Sequence, residues 1–367
     1  MKVVLAGTYS GRGGVQTHLH WLSRALMESG HQVRLYSLGP ALESAEQQRA
    51  ASLLAYGDFQ IFTCRESSAG QKPTFLQTPL KLIRALRAWR PDVYFACGTG
   101  LNLFLPAILS GACRRRVFHE VMSGESSGWS DSRWAVRAGF HQVLAQASPV
   151  AAHFSRHFHW PRPIPVLPAF PEPLEITGRL PLAGVKTVPL GRAKAAFFGR
   201  LVPHKGGLWL VNQWPELCDS LAELHLFGSG PEQQLIMDFV RSNGWENRIF
   251  CHGPYPEGQA YIDLLASFDL TLLPTTGSEG APLVLLESMA CAVPFVAFDA
   301  GGIPDYANPD CEIVSAKEKG SFVAAIKRIC NRLNQGTLDQ SRLQKHYREN
   351  FSYQRLAEKW LDWLEHG

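Results

Sequence analysis

The sequence predicts an α/β protein of two doubly wound, Rossmann-like domains facing a central cleft. Three observations predict it. The chain has 367 residues, 46% of them hydrophobic and 19% charged, a length that suits two domains at roughly 150 residues each. Strand, helix and strand alternate within the first 38 residues, which is a βαβ unit of a parallel sheet. The same alternation stops at a cluster of prolines between residues 161 and 189 and then starts again.

Taken in order, residues 2–6 form a short apolar run that reads as a strand, and residues 7–14 are rich in glycine. Residues 18–29 place Leu19, Leu22 and Leu26 at helical spacing, and Gly30 closes them. Residues 31–38 read as the second strand. Helix 79–90, strand 92–97, helix 101–109 and strand 116–121 continue the pattern. Pro161, Pro163, Pro165, Pro168, Pro171, Pro173, Pro181 and Pro189 mark a linker. Beyond it come strand 195–198, helix 207–214, strand 223–227 and helix 232–242. Strands 269–273 and 294–298 then flank a helix at 282–291. A last helix, 351–364, carries Leu356, Trp360 and Leu364 on one face, with Ser352 as its N-cap. The expected domains are 1–170, a linker at 171–190, 191–350, and a C-terminal helix at 351–367.

Composition excludes several classes. A net charge of +4 is far from the dense basic patch of a nucleic-acid binder. The eight cysteines, at 64, 97, 113, 218, 251, 291, 311 and 330, are at least sixteen residues apart. No C-x-x-C pair suggests structural zinc or redox work, and isolated thiols fit a reducing cytosol. The opening apolar run is too short for a signal peptide. Residues 101–109, interrupted by Pro106, are too short to span a bilayer. A cytoplasmic protein is expected.

Two motifs carry chemistry. In Asp269-Leu-Thr-Leu-Leu-Pro-Thr-Thr-Gly-Ser-Glu279-Gly280-Ala-Pro282-Leu283-Val284-Leu-Leu-Glu287, a strand ends, a loop follows and Pro282 suits the first helical turn. The free N–H groups of that turn attract an anion. A carboxylate beside such a site has a natural job in accepting hydrogen bonds from hydroxyls. Glu279 and Glu287 would then hold a sugar and a ribose. The alternative is that Glu279 caps the helix and Glu287 is a solvated helix residue. The second motif, Phe198-Gly-Arg200-Leu-Val-Pro-His-Lys205-Gly206, follows a strand directly. Its two cations could neutralise a diphosphate without a metal; otherwise they are ordinary loop residues.

These stretches, with "LFGSGPEQQL" and the opening "GGVQTHLHWLSRALMESGHQV", resemble the retaining GT-B glycosyltransferases of glycosyltransferase family 4. The resemblance is dense at 1–38 and 195–306 and thin at 40–190. It implies that Arg200 and Lys205 bind the donor diphosphate, Glu279 the transferred sugar and Glu287 the ribose. It adds Gly280, Leu283 and Val284 to the donor site, and makes Gly13 and Gly14 a first-domain loop close to the phosphates. Gly253, in His252-Gly253-Pro254, lines the nucleobase pocket, and His119 lies near the transferred sugar as a catalytic residue. It also implies that the last helix crosses back onto the first domain. The segment 166–171 lacks the family's Pro-Asn-Gly.

The implied activity is metal-independent transfer of a sugar from a nucleoside-diphosphate sugar to a saccharide or lipid-linked acceptor, in cell-surface polysaccharide or glycolipid synthesis. No cofactor and no metal are expected. A nucleotide-sugar epimerase, a sugar phosphorylase or a non-catalytic sugar-binding relative are the alternatives. His153, His157 and His159 have no further ligand type at metal-like spacing nearby and form no H-E-x-x-H, so they read as solvated helix residues. Gly11-Arg-Gly-Gly and Gly228-Ser-Gly-Pro fall short of a dinucleotide fingerprint. Peripheral membrane contact is raised by Lys81, Arg84, Arg87 and Arg90 beside Leu80, Ile83, Leu86 and Trp89. The mix of Arg133, Trp134, Arg137 and Phe140 raises it too. The alternative is a pair of outer helices packed on a sheet.

Overall fold

The computed structural model describes residues 1–11, 13–63, 77–171, 174–277 and 279–367. Arg12, Cys64, Pro173 and Ser278 lie outside the described residues. The chain divides into two compact units, Met1–Phe170 with Leu356–Gly367, and Pro171–Arg355.

The first unit holds six parallel strands: β1 (Lys2–Gly7), β2 (Gln32–Ser37), β3 (Phe59–Thr63), β4 (Val93–Cys97), β5 (Arg115–Glu120) and β6 (Gln142–Ala145). Their order is β3-β2-β1-β4-β5-β6. The central strands are buried along almost their whole length, β1 from Val3 to Gly7 and β4 throughout, as a parallel sheet covered on both faces requires. The second unit holds β7 (Ala193–Phe198), β8 (Leu221–Phe227), β9 (Ile249–Gly253), β10 (Leu270–Leu273), β11 (Phe295–Phe298) and β12 (Glu312–Val314). Their order is β12-β11-β10-β7-β8-β9. Each sheet therefore reverses its winding beside its first strand, between β1 and β4 and between β7 and β10. In doubly wound sheets ligands bind outside the carboxyl ends of the strands at that reversal.

Several elements differ from expectation. The first helix, Gly14–Glu28, starts four residues before the expected 18, inside the glycine-rich run. The helix expected at 207–214 is two short ones, Gly207–Asn212 and Trp214–Leu217, because Pro215 cannot continue the first. Pro282 is the N-cap of Leu283–Ala290 rather than its first helical residue. The expected linker, 171–190, is counted with the second unit. Three of its N–H groups donate to side-chain amides there: Ala183 to Gln344 at 2.6 Å, Lys186 to Gln340 at 3.1 Å and Leu190 to Asn334 at 3.2 Å.

The last helix, Tyr353–His366, buries Leu356, Trp360 and Leu364, and from Leu356 onward it belongs to the first unit. Ser352 Oγ accepts the Arg355 N–H at 3.4 Å, as an N-cap does. The mix of Arg133, Trp134, Arg137 and Phe140 is not a surface. Arg133 is buried between Glu120 and Asp131, 2.7 Å from each, and Phe140 belongs to the core. Trp134 packs edge-on against Phe158, and only Arg137 of the four is exposed. Among the described residues no helix is long and apolar enough to cross a membrane.

Candidate functional site

Both sequence motifs leave the sheet at the reversal of the second unit. Arg200 and Lys205 follow β7, and Glu279 follows β10. The two loops are tied together through backbone. The His204 carbonyl accepts the Thr276 N–H at 2.9 Å and the Thr275 hydroxyl at 3.2 Å. Gly206 ends the turn at φ +76°, and a Cβ there would stand 2.5 Å from the Pro274 carbonyl oxygen. Only glycine lets the loops approach this closely.

That approach brings the Lys205 ammonium onto the Glu279 carboxylate as an ion pair, with both side chains largely buried. Glu279 is also held from its other side. Its carbonyl accepts the Gly302 N–H at 3.0 Å, and Gly301, at φ +55°, would place a Cβ 1.7 Å from the same oxygen. The role of Gly301 and Gly302 was not read from the sequence, although they stand in the quoted stretch "FDAGGIPD". The signal was there, as a glycine pair directly after a strand.

Glu287 is 6% exposed and accepts a hydrogen bond from the Tyr261 hydroxyl at 2.5 Å. Burial first, and then the facing Glu287 charge, hold that phenol well above its ordinary pKa, so it stays a donor. Ser288 Oγ, 2.9 Å from Thr271 Oγ1, joins the Leu283–Ala290 helix to β10. The helix has no side-chain cap. So Glu279 is not a capping residue and Glu287 is not a solvated one.

The other predicted residues of this unit stand at strand and helix ends of the same sheet layer. Arg200 is exposed and has no partner among the described residues. Gly280, Leu283 and Val284 are half-buried at the helix N-terminus. Gly253 closes β9, next to His252, whose ring stacks on Phe227 at 4.4 Å and bonds His225 at 2.8 Å. One end of the sheet thus gathers an exposed guanidinium, a paired lysine, a helix N-terminus without a side-chain cap and two buried carboxylates. Such a set can take a polyanion joined to polyhydroxyl groups.

In the first unit, Gly13 is the N-cap of the Gly14–Glu28 helix and Gly14 opens it, just past the end of β1. His119 is not open to a substrate. It is fully buried, packed by His18, Phe95 and Trp360. Its Nε2 donates to the Leu167 carbonyl at 3.2 Å, and its Nδ1 lies 3.2 Å from His18 Nε2. The Phe170 N–H donates to His18 Nδ1 at 3.4 Å. A backbone N–H can only donate and a carbonyl can only accept, so both tautomers are fixed: His18 Nε2–H donates to His119 Nδ1. His119 in this structure is a strut for residues 167–170.

His18, His119 and Cys97 bring their ligand atoms within 4.8 Å of one another. The tautomers oppose a metal there, because His18 Nε2 carries a proton and the Phe170 N–H faces the atom that would have to carry it instead.

Both rings are held neutral. Burial and the neighbouring ring depress His18, and burial takes His119 down to about 3. The unfolded chain gains a proton on each below about pH 6.5 and the folded chain does not. This stability is whole above that pH and falls below it, by roughly 1.4 kcal/mol per pH unit for each ring. In urea unfolding, the advantage of wild type over His119→Gln should narrow by that slope from about pH 6.5 to 5. A constant gap would show that His119 titrates normally.

Residues 12–170 match the family model described as Glycosyltransferase Family 4, and residues 192–332 the model described as Glycosyl transferases group 1. The N-acetyl-alpha-D-glucosaminyl L-malate synthase of Bacillus anthracis is 40% identical over 84 residues, 23% of this chain and 21% of that protein. The chain thus matches about a fifth of that relative's length. The GDP-mannose-dependent monoacylated alpha-(1-6)-phosphatidylinositol monomannoside mannosyltransferase of Corynebacterium glutamicum is 26% identical over 305 residues, 74% of this chain and 75% of that protein. The crystal structure of Anabaena Alr3699/HepE in complex with UDP-glucose has the same fold. Its TM-score is 0.74 at 17% identity, over 100% of this chain and 99% of that one. Between them the two family models match most of the chain, and its two parallel sheets follow the fold of that structure, so the chain is a glycosyltransferase that resembles glycosyltransferase family 4.

Proposed function

We propose that this chain is a retaining glycosyltransferase. It would move a hexose from a nucleoside-diphosphate sugar to a saccharide or lipid-linked acceptor in polysaccharide or glycolipid synthesis. The observation that carries the reading is the Lys205–Glu279 pair, held between the ends of β7 and β10, with the exposed Arg200 on the same loop as Lys205. Without ligand, each member of the pair neutralises the other. A donor offers each a better partner: its diphosphate takes Lys205 and Arg200, and hydroxyls of its sugar take Glu279. Glu287, facing Tyr261, is left for the ribose. The family relatives whose names or structures mention GDP-mannose and UDP-glucose support a nucleoside-diphosphate donor.

The acceptor hydroxyl attacks the anomeric carbon from the face that the diphosphate leaves. The bond from that carbon to the phosphate oxygen breaks, and the acceptor proton passes to the phosphate oxygen. Charge builds on the diphosphate in the transition state, where Lys205, Arg200 and the N–H groups of the Leu283–Ala290 helix oppose it. These groups act from fixed positions, because the loops that bear them are clamped to each other. They also make a metal unnecessary. Turnover should persist in EDTA at close to its full rate, and NMR of the product should find the donor's anomeric configuration kept. Complete loss in EDTA with rescue by Mg²⁺ or Mn²⁺, or an inverted product, would overturn those two parts of the proposal.

A further inference from the structure

We infer that Tyr261 is a positioning residue for the donor: its hydroxyl aims the Glu287 carboxylate, so that the site distinguishes a ribose from a sugar lacking the 2′- and 3′-hydroxyls. The inference rests on the nucleoside-diphosphate reading above and names what sets the selectivity of that site for its sugar. Tyr261 lies on the Gly258–Ala266 helix and Glu287 on the Leu283–Ala290 helix. Tyr261 is 3% exposed and Glu287 6%, and the phenol donates to Glu287 Oε2 at 2.5 Å.

The ring of Tyr261 is fixed by packing alone. It stands edge-on to Phe198, the last residue of β7, at 5.7 Å, and lies 5.2 Å from the Tyr255 ring. Tyr255 meets Phe198 in turn, at 5.3 Å. Ile262, Leu265 and Phe268 belong to the same buried cluster. A phenylalanine would serve that packing equally well and would bring no hydroxyl into the core. A buried hydroxyl costs free energy unless it is bonded. The one here is bonded to Glu287, so the bond and not the packing explains a tyrosine at this position.

The bond restricts Glu287. The last torsion of a glutamate is broad and two-fold when nothing holds its carboxylate. A phenol on Oε2 selects one orientation through a short, charge-assisted hydrogen bond. The Cys291 thiol and the Tyr347 phenol also feel the Glu287 charge. Burial holds both well above their ordinary pKa, the thiol at about 12. These three neighbours therefore stay neutral and do not draw the carboxylate aside as a cation would. A carboxylate set in place in this way can accept hydrogen bonds from two adjacent hydroxyls of one ring, and it offers little to a ring that lacks them. Glu287 touches the ribose, and Tyr261 acts through Glu287.

The test is calorimetry with uridine, guanosine and adenosine diphosphates and the 2′,3′-dideoxy form of each, on wild type, Tyr261→Phe, Glu287→Ala and the double variant. Phenylalanine keeps the ring in its cluster, and urea unfolding checks that each variant is folded. For a diphosphate that binds the wild type, the dideoxy form should bind more weakly by about tenfold or more. Tyr261→Phe should weaken the ribose form by roughly five- to twentyfold and leave the dideoxy form within about twofold of wild type. In the Glu287→Ala background the Tyr261→Phe step should change neither. With the full donor, Tyr261→Phe should raise KM more than it lowers kcat. A loss of equal size with both sugars, or unchanged ribose binding by Tyr261→Phe, would overturn the inference and leave the bond as a staple between two helices, with the donor reading still standing. No binding of any diphosphate to the wild type would overturn both.

Discussion

Trp360→Ala should destabilise the protein by about 3–5 kcal/mol, the cost of truncating a fully packed tryptophan. Trp360 is buried among His18, Phe95 and His119, with ring centroids 5.1, 5.6 and 5.0 Å away, and its Nε1 donates to the Pro168 carbonyl at 3.0 Å. It therefore covers the neutral histidine pair and holds the same segment, 167–170, that the pair braces. Its loss would leave a cavity against that pair and an unpaired carbonyl. Arg115 fixes the helix nearby, with its guanidinium 4.6 Å from the Trp363 ring and Nη1 2.9 Å from the Leu364 carbonyl. Trp360→Phe keeps most of the packing and loses the N–H bond, so it should cost about 1–2 kcal/mol less than the alanine variant. Urea unfolding of both variants reads this order. An unchanged midpoint for Trp360→Ala would place the C-terminal helix in solvent.

Lys205→Ala should slow sugar transfer by roughly 30- to 1000-fold, or about 2–4 kcal/mol in the barrier. Two effects add. The diphosphate loses a cation that opposes its growing charge, and Glu279 loses the partner that neutralises it. A bare carboxylate would then face the donor phosphates. Lys205→Ala with Glu279→Gln removes that second effect, so the double variant should lose less than the two single losses combined. Activity of Lys205→Ala within about threefold of wild type would remove the lysine from the reaction.

The sequence and the structure agree where the physics is local. The central strands are continuous apolar runs, and the sequence reading finds β1, β2, β4, β5, β7, β8, β10 and β11. It misses β3, β6, β9 and β12, the edge strands of the two sheets. An edge strand is covered on one side only, and its pattern is mixed: β3 buries only Phe59 and leaves its other residues half-buried or exposed, and the three residues of β12 are all half-buried. Such short stretches carry no clear period.

The site shows the same division. Arg200, Lys205, Glu279 and Glu287 could be named from spacing at strand and helix ends. The partner of Glu287 could not, since Tyr261 is 26 residues away on another helix. The pairing of Lys205 with Glu279 spans 74 residues and depends on backbone contacts at Gly206 and Gly301. The burial of His119 could not be read either, because its place at a strand end says nothing of what lies over it. The cover comes from His18 and from Trp360, and the latter is 241 residues further along the chain.

The central claim is that the ends of β7 and β10 bind a nucleoside diphosphate through Lys205. Calorimetry with uridine, guanosine and adenosine diphosphates, in EDTA, on wild type and on Lys205→Ala tests it directly. The account predicts that at least one of the three binds the wild type and that Lys205→Ala weakens it tenfold or more, about 1.4 kcal/mol. Binding of equal strength to both proteins, or no binding of any of the three to the wild type, would contradict it.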